Sequence, residues 1–217
     1  MLKENKGTII LTTLITAAPV LLGLLLWSRL PDTIATHFDF AGTPNGWSGK
    51  PFAVFGLPAI LVACQLLCTF GTMLDPRKKN IQKKMFRLVL WICPVISVLV
   101  CGCVYLYALG YGVDMGRICG LLVGLLFIII GNYMPKFRQT YTMGVKTPWA
   151  LADEENWNHT HRFGGRLWMA AGVVFLALTM LGAMNTVWTL VMILVVALLP
   201  VLYSLLYYLR HRKEEDI

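Results

Sequence analysis

Charge is what this sequence has least of. Asp, Glu, Lys and Arg make up only 14% of the 217 residues, against roughly 25% in an ordinary soluble domain. Acids are scarcer still, 11 against 19 Lys and Arg. Five long stretches hold no charge at all: Gly7–Ser28, Pro51–Leu74, Leu88–Val113, Ile118–Pro135 and Leu167–Leu209. No Asp, Glu, Lys, Arg or His therefore stands in the middle of an apolar stretch. That argues against proton relays and ion-coupled carriers, which keep costly intramembrane charge for a purpose. Cysteine chemistry is also missing. Cys64, Cys68, Cys93, Cys101, Cys103 and Cys119 all lie inside apolar stretches, and no C-x-x-C pair occurs. Thiols in such places pack as small hydrophobes, so neither a metal nor a cofactor is expected.

What is present is length. The five stretches run 22, 24, 26, 18 and 43 residues. A bilayer core of roughly 30 Å takes about 20 apolar helical residues, so four stretches are single spans. The fifth would make a helix of roughly 65 Å. It carries Asn185-Thr186 near its middle and reads as two spans joined by a tight turn. The first stretch is longer than the roughly 7–15 residues of a signal-peptide core, and Ala17-Ala18-Pro19 lacks a good cleavage site. It should stay as the first helix. The fold expected is an all-α membrane protein, a bundle of six transmembrane helices. Two regions divide it: residues 1–75, a two-helix unit with an outer cap loop at 30–51, and residues 76–217, a four-helix region with a motif loop at 132–165.

The loops divide by charge. Sixteen of the nineteen Lys and Arg fall in the N-terminal tail, the 77–87 loop, the 136–166 region and the C-terminal tail. The alternate loops hold Arg29, Lys50 and Arg117. Cationic loops stay cytoplasmic, which places both termini inside. The +8 net charge then reflects topology and affinity for anionic lipid. The 77–84 cluster is assigned to orientation alone, and no direct nucleic-acid binding is expected.

Within the spans, Gln65 is the clearest polar side chain and suits a helix–helix hydrogen bond. Gly116, Gly120 and Gly124 recur at intervals of four, with Gly131 seven further on. They form a stripe of small residues that lets helices approach closely. Pro19, Pro58, Pro94 and Pro200 each leave a backbone carbonyl without its usual donor.

Two loops stand out. In the outer one, Thr36–Phe40 alternates polar and aromatic residues like a short strand. It sets His37 and Asp39 on one face, Phe38 and Phe40 on the other. Asn45-Gly46 is a turn signal, Trp47 suits the headgroup layer, and Pro51 suits the first turn of the next helix. A His beside an Asp suits a structural hydrogen bond, a pH response or a cation contact, and two ligands are too few for a metal site.

The inner loop is read as ordered. Thr147-Pro148 marks a turn, and Asp153 caps a helix that runs through Trp157 and His161, four apart on one face, into the fifth span. Trp149 and Trp157 should pack near the helix ends, with His161 donating to a backbone carbonyl or to Asn132. His159 and His161, two apart, do not form a helical metal pair.

Three motifs carry a resemblance: G-N-Y-M-P-K-F at 131–137, G-V-K-T-P-W-A-L at 144–151 and W-N-H-T-H-R-F-G-G at 157–165. They resemble the signature of the Sdp immunity (SdpI-like) family. The outer segment L-P-D-T-I-A-T-H-F-D-F-A-G-T-P-N-G-W-S-G-K resembles the N-terminal domain of unknown function often found with it. The resemblance implies a bacterial multi-pass protein giving immunity to a secreted membrane-active peptide, the sporulation-delaying toxin. It also implies capture of a DNA-binding repressor at the membrane. The positions it carries over are Asn132, Gly144, Lys146, Thr147, Pro148, Trp149, Trp157, Thr160, His161 and Gly165. Lys146 stands where the family pattern has Arg, and Ala150 where it has Thr. Lys cannot make Arg's planar two-pronged contact.

Three functions are weighed. The first is an immunity or sensor protein whose outer residues His37, Phe38, Asp39, Phe40 and Trp47 meet the peptide. The second is a small permease, for which the spans show no continuous polar path. The third is a membrane enzyme using Asp153, Glu154, Glu155, His159 or His161. No Ser or Cys nucleophile accompanies those acids and bases, and a helix start accounts for the acids without chemistry. The expectation is a protein that is not an enzyme.

Overall fold

A computed structural model describes residues 2–215. Six of its helices are long and apolar enough to cross a membrane: Glu4–Leu25, Phe52–Leu74, Lys83–Ala108, Met115–Lys136, Glu154–Met180 and Thr186–His211. The chain is an α-helical multi-pass membrane protein. Its helices leave large aliphatic side chains bare, among them Leu14, Leu67, Leu74 and Leu206, each more than 60% exposed. Water would make such a surface a site of aggregation, whereas lipid is its natural solvent. The elements in order are α1 (Leu2–Leu25), β1 (Thr33–Phe38), β2 (Pro44–Gly49), a π-helical turn (Phe52–Gly56), α2 (Leu57–Leu74), α3 (Lys83–Ala108), α4 (Met115–Tyr133), α5 (Pro148–Ala152), α6 (Glu154–Met180) and α7 (Thr186–Glu215).

The helices overrun the uncharged stretches. α3 begins at Lys83 and α6 at Glu154, because charged residues at a span's end extend the helix beyond the bilayer core. The 43-residue stretch breaks as its polar pair suggested. At the end of α6 the Gly182 N–H donates to the Thr179 carbonyl (3.2 Å) and Ala183 N–H to Leu178 (2.9 Å). Those two bonds are a Schellman closure, which needs a left-handed residue, and Gly182 supplies it at φ +67°. Asn185 Oδ1 then accepts from the Trp188 N–H (3.0 Å), capping α7.

The chain forms two compact units. The first comprises Met1–Leu74 and Lys83–Gly116. Its core gathers Leu30, Ile34, Ala53, Val54, Val104, Tyr105 and Met115. Deeper in the membrane is a polar seam. Gln65 Nε2 donates to Thr12 Oγ1 (2.8 Å), Thr16 Oγ1 donates to Gln65 Oε1, and Ser97 Oγ donates to the Thr16 carbonyl (2.7 Å). All four side chains are buried. The seam ties α1 to α2 and α3, the helix-to-helix role expected of Gln65.

The second unit comprises Asp75–Gln82 and Arg117–Ile217. Here α4 and α6 meet through glycine. A Cβ on Gly120 would lie 2.6 Å from Thr179 Oγ1, one on Gly124 2.7 Å from Leu176 Cδ2, and one on Gly131 2.8 Å from the Gly165 carbonyl. The small residues of α6 answer them: a Cβ on Gly172 would meet the Gly124 carbonyl at 2.7 Å. Gly116, the first of the stripe, faces elsewhere. Its nearest neighbours are Ala41 and Gly42 of the outer loop, within the first unit.

Candidate functional site

The outer loop is a β-hairpin that packs within the first unit. β1 and β2 pair antiparallel, Thr33 opposite Gly49 and Ala35 opposite Trp47, with irregularities around His37. The strand expected at Thr36–Phe40 starts three residues earlier and ends at Phe38, and Asn45-Gly46 lies inside β2, not at the turn. Asp39 makes the difference. Its Oδ1 accepts the N–H groups of Ala41 (3.0 Å) and Thr43 (2.8 Å), which closes the turn at 39–43. A side-chain carboxylate mimicking a backbone acceptor is the reason Asp favours such turns.

That turn separates residues that alternation grouped together. His37 Nδ1 bonds Asn45 Oδ1 across the hairpin, while the Asp39 carboxylate is engaged in the turn. Phe38 packs edge-on against Tyr107 of α3, ring centroids 5.1 Å apart. Phe40 is 43% exposed and Trp47 60% exposed. Phe38 is thus a fastening of the hairpin, and the aromatics open to an incoming molecule are Phe40 and Trp47.

The inner loop is built around two buried polar groups. The first is Asp75, 2% exposed. Its Oδ2 accepts from the N–H groups of Tyr141 and Thr142 (2.9 Å each) and from Thr142 Oγ1 (2.7 Å). Its Oδ1 accepts from the Arg77 N–H (2.7 Å). Four donors around one carboxylate offset much of the loss of water. Arg77 continues the clasp: Nη1 donates to Gln139 Oε1 (2.9 Å) and to the Leu151 carbonyl (3.2 Å), and its guanidinium lies 5.1 Å from the Tyr141 ring centre. Asn80 Nδ2 donates to the Gln139 carbonyl (2.9 Å). The assignment of the 77–84 cluster to orientation alone is corrected here, since Arg77 is a structural clamp while Lys78 and Lys79 are exposed. Asp75 gave no signal in the sequence. An Asp at the end of an apolar run reads as an ordinary interface residue, and its partners are 66 and 67 residues away.

The second group is His161, fully buried beside Trp157, rings stacked with centroids 4.0 Å apart. Nε2 accepts the Val145 N–H (3.0 Å), and Nδ1 meets the Trp157 carbonyl (2.7 Å). An N–H can only donate and a carbonyl only accept, so the ring is neutral with its proton on Nδ1. Of the two expected partners, the backbone carbonyl is the one found; Asn132 is exposed on α4. Trp157 Nε1 donates to the Phe137 carbonyl (2.7 Å). Gly144 lies over both rings at φ +104°, and a Cβ there would collide with His161 Nε2.

The remaining motif residues complete this core. Thr147 caps α5 through the Ala150 N–H, so Thr147-Pro148 opens a short helix where a turn was expected. Thr147 Oγ1 also meets Ser204 Oγ of α7 (3.0 Å). Asn156 Oδ1 accepts from Thr160 Oγ1 (3.0 Å) and Ser204 Oγ (2.7 Å), and its Nδ2 donates to the Ser204 carbonyl (3.0 Å). Asn156 and Ser204 were missed because neither stands in a motif and their pairing is tertiary. Gly165 packs on Gly131 and Pro135. Trp149 is half-buried beside Tyr208, and Lys146 is exposed.

Most of the side chains weighed for catalysis have other work. Asp153 caps α6 by accepting from Glu155 and Asn156 N–H groups (2.8 and 3.1 Å), and His159 pairs with Glu155 at 3.8 Å. Among the described residues no group of three His, Cys, Asp or Glu could hold a metal ion.

Comparison with known proteins matches residues 136–204 to the SdpI/YfhL protein family and residues 14–62 to a domain of unknown function (DUF1648). The chain is similar to the "Immunity protein SdpI" of Bacillus subtilis (strain 168), 26% identical over 208 residues, 94% of this chain and 96% of the relative. No solved structure matches.

Proposed function

Since the chain belongs to the SdpI-like family of multi-pass membrane proteins, we propose that it is a bacterial membrane immunity protein, protecting its cell against a secreted membrane-active peptide. The observation that carries this reading is the match along 94% of the chain to a relative named for immunity. The role proposed is binding, not catalysis. Both nitrogens of His161 are engaged with backbone and Asp153 caps a helix, which supports that choice. The outer hairpin is the proposed receiving surface. Phe40 and Trp47 present large aromatic area, and such anchors commonly dominate peptide contacts.

A second partner is proposed on the opposite side, a small DNA-binding repressor meeting the surface around Lys146. Lys146 is exposed, which supports a docking role, and it lacks the two-pronged geometry of Arg.

Expression in a toxin-sensitive bacterium tests the main reading. Resistance to its cognate secreted membrane-active peptide should rise. Trp47→Ala and Phe40→Ala should lower that resistance while leaving the amount of inserted protein unchanged, and Lys79→Ala should leave resistance intact. Absence of protection against that peptide, or protection that survives removal of both aromatics, would overturn it.

A further inference from the structure

A cavity of about 520 Å³ opens between the start of α6 and the end of α7, with Glu155, His159, Leu206, Tyr207, Arg210 and His211 in its wall. No step of the immunity reading uses it. Its depth in the membrane follows from helix geometry. From Met180 back to His159, and from Thr186 on to Tyr207, the chain climbs 21 residues, roughly 31 Å at about 1.5 Å each. That is about one hydrocarbon thickness from the α6–α7 turn, so the cavity stands at the headgroup level.

Its chemistry is of both signs. Arg210 offers a guanidinium, whose planar fork suits phosphate oxygens. Glu155 offers a carboxylate that is 71% exposed, 3.8 Å from His159 Nε2. The Tyr207 ring stacks against two imidazoles, His159 at 5.0 Å and His211 at 4.0 Å between centroids. His211 Nδ1 meets the Tyr207 carbonyl (2.9 Å), so it carries the proton and neutral His211 keeps Nε2 as an acceptor. Toward the membrane the lining turns apolar, with Leu206 66% exposed and Tyr203 stacked on Phe163 at 4.5 Å.

We propose that this cavity binds the phosphoethanolamine headgroup of a membrane phospholipid. The phosphodiester lies on Arg210, and the ammonium donates to the Glu155 carboxylate and to His211 Nε2. The acyl chains follow Leu206 and Tyr203 into the hydrocarbon. A purely anionic headgroup would meet Glu155 as a like charge. A trimethylated headgroup has no N–H to donate.

The test uses the purified full-length protein in detergent, read by thermal melting and by native mass spectrometry of retained lipid. Phosphatidylethanolamine should raise the melting temperature more than phosphatidylglycerol or phosphatidylcholine. Arg210→Gln should weaken the response to every phospholipid by about tenfold, equivalent to about 1.4 kcal/mol. Glu155→Gln should remove only the preference for phosphatidylethanolamine over phosphatidylglycerol. Both residues are on the surface, and their lipid-free melting temperatures should match the parent. Equal responses to the three lipids, or responses unchanged in both variants, would overturn the proposal. Saturation by soluble O-phosphoethanolamine at lower concentration than by the lipid would overturn the assignment to a membrane lipid.

Discussion

Gly144 occupies a place that no other residue fits. Its φ of +104° and its collision course with His161 both forbid a side chain. Gly144→Ala should lower stability by more than about 3 kcal/mol, in the range reserved for strain combined with a broken core. Gly110, at φ +85° with open space around it, isolates the conformational part, and Gly110→Ala should cost only about 1–2 kcal/mol. Melting of the two variants in one detergent measures both, and equal losses would defeat the argument. The two tryptophans make a second residue-scale contrast. Trp157 Nε1 has the Phe137 carbonyl, whereas Trp149 Nε1 is buried without a hydrogen-bond partner. Trp157→Phe strands a buried acceptor and should cost about 1–3 kcal/mol more than Trp149→Phe, which removes an unsatisfied donor. The sequence marked Gly144, Trp157 and His161 through a motif. It could not mark Asp75, whose meaning lies in the distant N–H groups of Tyr141 and Thr142.

Among the elements, the α4–α6 contact depends on the absence of side chains. Gly124→Leu would drive Leu176 and the backbone at Gly172 apart, and overpacking of this kind should cost about 1–3 kcal/mol. A Cβ on Gly102 of α3 would meet nothing within 4 Å, so Gly102→Leu should melt within about 0.5 kcal/mol of the parent. The Gln65 seam should prove more forgiving than its burial suggests. Thr12 Oγ1 also reaches the Thr8 carbonyl (2.8 Å) and Thr16 Oγ1 the Thr12 carbonyl (2.8 Å). The hydroxyls therefore keep partners in Gln65→Leu, and the loss should be about 0.6–1.7 kcal/mol, as for other hydrogen bonds between membrane helices. A loss several times larger would mean the seam specifies the packing of α1 on α2. The helices themselves were legible because hydropathy over 20 residues is a strong signal. The hairpin was legible only in part: Asn45-Gly46 has turn chemistry, but the Asp39 carboxylate closes the turn six residues earlier and leaves that pair to β2.

For the whole molecule, the charge asymmetry predicts a direction. In a variant without native cysteines, Thr43→Cys should react with a thiol reagent that cannot cross the membrane, and Lys79→Cys should react only after the membrane is opened. Both positions are exposed, so accessibility to the reagent is decided by side alone, and the reverse pattern would invert the topology. The clasp at Asp75 has a further consequence, in time. The nascent chain releases Asp75 from the ribosome 66 residues before Tyr141, an interval of roughly 3–13 s at about 5–20 residues per second. Throughout it the carboxylate has none of its Tyr141 and Thr142 donors, and the 75–82 segment stands as a polar loop awaiting a partner. A quality-control protease that reads unclasped loops would therefore distinguish finished molecules from those stalled before the inner motif, using a single acidic side chain as the mark of completion.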